Sequence, residues 1–392
     1  MKMRHLAVAF LVLGLAVSMP APAFSQAKSD TIKIGAFLPM TGGVAAYGQG
    51  SWQGIQFARE MKPTILGKKV ELVLVDDKSD KIEAANAVTR LVEKEKVVAI
   101  IGSSISGNTM AGAPIAEKAG IPVVSPTATN PLVTQGKKYI FRVCFIDPFQ
   151  GEMAAKYAYE TLKKRRAALI IDKAQDYCVG LADFFEKSFK KLGGEIVAKT
   201  YCETGNKDFT AQLSAIKAKN PDVLYMPNYY TEVALTMKQM KDLGMNLPVI
   251  SGDGAQDKAL LDIGKQYVEG LMFTGHFEKE AASTPLAKKF IPAYEKKYGK
   301  VGTFDVMGAD AYFVLADAIE RAKSFDGAKI RAALANTKNF KGISGNITIG
   351  EDGNAIKSLV IVQVRGGDFR YVATVEPAGA KPEPKKPAPK KK

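Results

Sequence analysis

Histidine is almost missing from this sequence of 392 residues, which holds only His5 and His276. A histidine-based metal site or a Ser-His-Asp triad would have to draw on these two, and neither HExxH nor GxSxG occurs. Enzyme readings lose weight accordingly. The stretch Gly48-Gln49-Gly50-Ser51-Trp52-Gln53-Gly54 spaces its glycines one residue too far apart for a dinucleotide fingerprint, and the phosphate-loop pattern GxxxxGKS/T is absent. No cofactor is implied. Gly and Pro together number 54, apolar residues make up 46% and charged residues 24%, a composition that excludes wholesale disorder and collagen. At roughly 150 residues per domain the length points to two domains.

The chain also lacks an apolar run long enough to span a bilayer. Leu6 to Val17 gives twelve apolar residues where about 20 are needed. With Lys2, Arg4 and His5 before it and the small, Pro-containing stretch Ser18 to Ala27 after it, the run reads as a signal peptide over residues 1–27, cleaved between Ala23 and Ala27. The first cysteine is Cys144, so no lipid-modified cysteine can follow the cleavage site. A soluble exported protein is expected. The formal charge of +15 sits partly at the ends, +2 in the leader and +5 in the Pro- and Lys-rich tail 377–392, which leaves +8 between them. With export and no aromatic-plus-basic motif, nucleic-acid binding is not supported. The tail reads as a solvated segment with loose affinity for acidic surfaces.

Between the ends, short apolar runs alternate with amphipathic stretches. Candidate strands are Ile32–Leu38, Val70–Val75, Val97–Ile101, Pro122–Val124, Ala167–Ile171, Glu195–Thr200, Val223–Met226, Leu247–Ile250 and Gly270–Phe273. Near-continuous apolar strands are those buried on both faces, as in parallel sheets covered by helices. Helical stretches follow near 285–298, 305–322 and 328–335, then two strands, Ser358–Val364 and Phe369–Val375, with Gly366-Gly367 as a hairpin turn. The fold class is α/β, with two doubly wound lobes facing each other across a cleft.

Two loops at strand ends bring hydroxyls together: Gly102-Ser103-Ser104-Ile105-Ser106-Gly107-Asn108, at the start of a helix, and Ser125-Pro126-Thr127-Ala128-Thr129-Asn130-Pro131. Each alone reads as helix capping. As a pair on adjacent strands they could cradle a carboxylate beside helix N–H groups. Cys178 and Cys202 follow strands that would be neighbours, so a bridge closing a 25-residue loop is feasible and would add about 3 kcal/mol. Three reduced, buried thiols are the equal alternative.

The second of those loops, Ser125 to Pro131, with Pro39-Met40-Thr41-Gly42, Phe141-Arg142-Val143-Cys144, Asp147-Pro148-Phe149-Gln150-Gly151, Asp208-Phe209-Thr210-Ala211-Gln212-Leu213 and Gly252-Asp253-Gly254, carries a resemblance over Thr31 to Val375. The chain resembles the type I periplasmic substrate-binding proteins of branched-chain and related amino-acid ABC transporters, the leucine/isoleucine/valine-binding-like family. The resemblance implies two lobes that close like a trap. Residues 28–145 plus 276–352 would form one lobe and 146–275 plus 353–376 the other. Crossovers would fall near Cys144–Phe149, Gly275–Glu278 and Gly350–Ala355.

It also implies a site. Ser106, Thr127 and Thr129 match positions that hold the ligand's α-carboxylate and part of its ammonium. Tyr177 and Tyr229 match the closing aromatics of the far lobe, Asp253 the acidic partner of the ammonium, and Tyr47 an aromatic wall. Asp253 is one methylene shorter than the Glu of some members. The implied function is a monomeric periplasmic receptor that binds an amino acid, branched-chain or otherwise hydrophobic, for an inner-membrane ABC permease. A receptor for an aliphatic amide, urea or small organic acid is the alternative in the same fold. An exported hydrolase using Ser106 is the alternative of another class, and a wall-associated structural protein is a third.

Overall fold

The computed structural model describes residues 30–377. Residues 1–27, read above as a leader, and the lysine-rich tail apart from Pro377, lie outside the described residues. Two sheets carry the fold. The first runs in the order Thr64–Ile65, Lys68–Asp76, Thr31–Leu38, Ala99–Gly102, Val123–Ser125, Ile140–Arg142. All its pairings are parallel except that of the edge pair Thr64–Ile65 with Lys68–Asp76. The second runs Asp368–Val375, Leu359–Arg365, Met272–Gly275, Val249–Ser251, Val223–Met226, Arg166–Asp172, Glu195–Cys202. Its two C-terminal strands are antiparallel, joined by a turn in which Gly366 and Gly367 both take positive φ, as a two-residue hairpin requires.

The parallel strands of both sheets follow one order in space: second, first, third, fourth, fifth. The chain direction switches between the first and third strands, so the loops leaving them diverge and leave a crevice at the carboxyl edge. Each lobe therefore offers three loops at that crevice, after its first, third and fourth strands. A third, small sheet of Phe340–Gly342, Gly345–Ile349 and Ala355–Ile356 packs on the first lobe.

The chain passes between the two cores three times. Cys144 lies in the first core and Phe145 in the second, and Phe273 lies in the second and Phe277 in the first. Ala355 still pairs with Ile349 and packs in the first core, whereas Leu359 packs in the second. The third passage thus falls at Ile356–Ser358, just beyond Gly350–Ala355.

The bridge between Cys178 and Cys202 is not formed, although their strands are neighbours: all three cysteines are free and buried. Burial pushes the Cys202 thiol up to about 12 and Cys178 well above its ordinary value. Both are far from the thiolate that disulfide chemistry needs. They serve as small core residues, with Cys202 Sγ accepting from Asn228 Nδ2 at 3.9 Å.

One helix pair sets the near wall of the crevice. Ala45–Met61 and Thr303–Ala322 approach so closely that a Cβ on Gly54 would lie 1.8 Å from the Asp305 carbonyl oxygen, and one on Gly308 2.3 Å from that of Ser51. The contact seats Tyr47 and Phe304, in the first turns of the two helices, face to face with centroids 4.1 Å apart. Gly54→Ala should gain about 1 kcal/mol of helix propensity. It should lose more, because a backbone oxygen cannot rotate away and overpacking costs about 1–3 kcal/mol. A net fall in melting temperature is expected by calorimetry, and an unchanged or raised midpoint would refute this packing.

A second prediction concerns Asp147, at the start of the helix Asp147–Lys156 beside the first passage. Burial, and then the neighbouring Asp253, push its carboxyl up to about 8. Its unfolded value is near 3.8. The folded state therefore holds a proton that the unfolded state releases, a contribution that is full below pH 4 and lost as pH rises to about 8. Asp147→Asn should flatten the decline of denaturant midpoint between pH 5 and pH 8 and stabilise the protein at pH 8. Equal slopes in the two proteins would overturn this account.

Candidate functional site

The three crevice loops of each lobe deliver the residues singled out in the sequence. In the first lobe, Tyr47 follows the first strand, Ser106 begins the helix Ser106–Ala119 after the third, and Thr127 follows the fourth. In the second, Tyr177 follows the first strand, Tyr229 is the N-cap of Tyr230–Asp242 after the third, and Asp253 follows the fourth. All six line one cavity together with Ser104, Ile105, Gly254 and Phe304. The sequence reading missed Phe304, since an aromatic at the start of a core helix carries no mark of a binding wall.

Thr129 stands apart. It does not line the cavity; its hydroxyl faces the Asp147 carboxyl and its carbonyl accepts from the Asp147 N–H at 3.1 Å. Its hydroxyl thus lies behind the residues that line the cavity.

On the first-lobe side the hydroxyls are not helix caps. Ile105 is the N-cap of Ser106–Ala119 and no side chain bonds to that end. Thr127 Oγ1 donates to the Ser104 carbonyl at 2.7 Å, and Ser106 Oγ accepts from Asn130 N at 3.2 Å. Below them Asp77, wholly buried, holds the loop by accepting from Asn108 Nδ2 at 2.8 Å and from Ser103 Oγ at 2.5 Å. A helix N-terminus without a side-chain cap, in a hydroxyl-lined hollow, suits an anion.

The second-lobe side presents the opposite charge. Asp253 Oδ1 accepts from the Tyr177 hydroxyl at 2.9 Å, and Oδ2 lies 2.9 Å from His276 Nε2. Its backbone N–H donates to Gln150 Oε1 at 2.8 Å. Tyr177 and Tyr229 stack in parallel with centroids 5.4 Å apart, and Tyr47 meets Tyr229 edge-on at 5.6 Å. Burial pushes all three phenols well above their ordinary range, so they remain protonated. The Tyr47 hydroxyl crosses the cleft to donate to the Gly254 carbonyl, whereas Tyr229 Oη has no partner among the described residues.

The lobes are drawn together. Lys81 pairs with Asp176 at 2.7 Å, and Asn130 Nδ2 donates to the Asp176 carbonyl at 2.8 Å. The cavity is left with about 10 Å³, room for roughly one water. A larger recess of about 610 Å³ shares only Phe304 with the lining of this cavity. Asp257 and Asp305, on its wall, accept from helix N–H groups or the N-cap backbone and so have structural work. The hydroxyl-and-carboxylate cavity is the better candidate despite its size. Among the described residues no cluster of three or more His, Cys, Asp or Glu could hold a metal ion.

Known proteins share this architecture. A family model described as periplasmic binding protein matches residues 31–368. The Leu/Ile/Val-binding protein BraC3 of Rhizobium johnstonii is 33% identical over 337 residues, covering 85% of this chain and 91% of the relative. The crystal structure of a leucine-binding protein, LivK, from Thermotoga maritima superimposes with a TM-score of 0.87 at 49% identity, covering 88% of this chain and 99% of that one. LivJ of Streptococcus pneumoniae, solved in complex with isoleucine, gives 0.83 at 33% identity over 88% of this chain and all of its own. With its two lobes of like topology and a crevice between their carboxyl edges, the chain belongs to the periplasmic binding proteins, which bind substrates for ABC transporters rather than transform them.

Proposed function

We propose that the protein is a periplasmic receptor that captures a branched-chain or other hydrophobic amino acid between its lobes and delivers it to an inner-membrane ABC permease. The observation that carries this is the opposition of charge across the cavity. A helix N-terminus and the Ser106 and Thr127 hydroxyls lie on one lobe, the Asp253 carboxylate on the other. That polarity fits a zwitterion, whose α-carboxylate and α-ammonium need separate partners once taken out of water. Ile105, Phe304 and the Tyr47 ring supply an apolar wall for the side chain. Relatives named for leucine, isoleucine and valine support the same class.

We read the chain as a monomer exported behind the leader 1–27, without a lipid anchor. Its lobes would be 28–145 plus 276–356 and 146–275 plus 359–376. Turnover is not part of this reading: Ser106 Oγ accepts from a backbone N–H, and the sole imidazole outside the leader is engaged with Asp253. Because the closed cavity has room for about one water, the lobes must part to admit an amino acid and close again on it.

A thermal-shift screen of the ligand-stripped protein against the twenty amino acids, simple amides and aromatic acids tests the proposal. A ligand at 100 times its Kd should add about 2.7 kcal/mol, a rise of a few degrees. Leucine, isoleucine or valine is expected to give the response, and Asp253→Ala to abolish it. Silence toward amino acids with a response to amides or aromatic acids would replace the substrate class. Release of product from an ester or amide that is lost in Ser106→Ala would replace the function.

A further inference from the structure

His276 has no part in the reading above, yet it touches the residue on which that reading depends. Its side chain is wholly buried, with Nε2 2.9 Å from Asp253 Oδ2. The ring lies against Phe145 with centroids 4.3 Å apart, and its backbone N–H donates to Gln256 Oε1 at 3.0 Å. Phe145 and His276 stand in the first and second passages between the lobes, so a single hydrogen bond ties Asp253 to the hinge. Nδ1 has no partner among the described residues. A carboxylate at Nε2 and a bare Nδ1 together specify a neutral ring that carries its proton on Nε2 and donates it to Asp253.

We propose, resting on Asp253 as the ammonium partner, that His276 is the positioning residue of the binding site: its neutral imidazole aims the carboxylate at the ligand, and its protonation weakens binding by giving that carboxylate a competing cation. Two charged groups bear on the ring directly. Asp253 draws its proton affinity up, Lys357 of the third passage pushes it down, and burial, the largest effect, leaves it below the ordinary histidine range. Behind Asp253, Asp147 from the first passage is held protonated at neutral pH, with its pKa pushed up to about 8. The sign follows: affinity is full above the imidazole pKa and falls as pH drops through it.

Because His276 is the only histidine beyond the leader, ¹⁵N NMR of the mature chain reports one imidazole. At pH 7.5 the neutral tautomer protonated on Nε2 is expected, with the Nε2 resonance displaced in Asp253→Asn. Leucine titrations by calorimetry from pH 8 to pH 5 should show Kd weakening by about tenfold per unit below the pKa that NMR measures. In His276→Gln, whose amide can donate in place of Nε2, that limb should vanish while Kd at pH 8 stays within about tenfold of wild type. Carboxylates elsewhere in the cleft titrate in both proteins, so the difference between the two profiles isolates the imidazole. An imidazolium or a proton on Nδ1 at pH 7.5, or an identical acid limb in His276→Gln, overturns the proposal. If wild type binds no leucine at any pH, the substrate reading fails by itself. The NMR pair then decides: a ring indifferent to Asp253→Asn sinks the positioning role.

Discussion

A carboxylate taken out of water costs several kcal/mol unless its lone pairs are met, and Asp253 is met from three directions. Tyr177 holds one oxygen from the first turn of a helix, His276 the other from the second passage, and Gln150 fixes the backbone from the helix that follows the first passage. Gln150 Oε1 also accepts from Thr274 Oγ1 at 2.6 Å, while its amide donates to Asp147 Oδ1 at 3.1 Å. The carboxylate in the cavity is thus continuous with the segments that join the lobes. Moving those segments changes the partners of a buried charge, which makes the hinge sensitive to what occupies the site.

The repetition of one strand order places like sets of loops on either side of the crevice. Each sheet opens its crevice between the first and third strands and presents the loops of strands one, three and four. In the first lobe these loops carry a helix N-terminus and hydroxyls, in the second two tyrosines and a carboxylate. Like scaffolds bear unlike chemistry, so the cavity has a helix N-terminus with hydroxyls on one side and a carboxylate on the other. The short approach of Ala45–Met61 to Thr303–Ala322 then adds an apolar wall at a fixed place, because Gly54 and Gly308 leave the helices no slack.

Most of the fold was legible because parallel strands buried on both faces read as apolar runs, and most of the nine candidate strands are such runs. The strands that escaped lie at the margins. Phe340–Gly342 and Gly345–Ile349 mix Lys, Asn and Gly with apolar residues, and Ile140–Arg142 contains an arginine. Arg142 is nonetheless fully buried, since its guanidinium finds the carbonyls of Ala128 and Asn130 and the Thr134 hydroxyl, partners no local pattern announces. In the site, hydroxyl-rich loops at strand ends were visible because they break the apolar pattern. Phe304 was not, since a stacking partner more than 250 positions away is a tertiary fact. His276 could be seen as unusual only by its scarcity, and its partner Asp253 lies on another strand's loop.

The groups left without partners say what drives closure. Among the described residues Tyr229 Oη is buried and unpartnered, and Ile105, the N-cap of the helix that begins at Ser106, makes no side-chain cap hydrogen bond. Closing the lobes over such groups costs about 1–3 kcal/mol for each polar group left unsatisfied. A ligand can favour the closed state only by as much as it binds that state better than the open one. On the proposed reading, an amino acid would supply a carboxylate to the helix N-terminus, an acceptor to Tyr229 and an ammonium to Asp253, and would remove those costs only when both lobes touch it at once. Its differential affinity therefore comes from repairing what closure alone leaves unmade. On that reading a ligand lacking either charge would repair part of the deficit and shift the equilibrium correspondingly less, so discrimination between amino acids and simple acids or amides would arise from the cost of closing as well as from the contacts themselves.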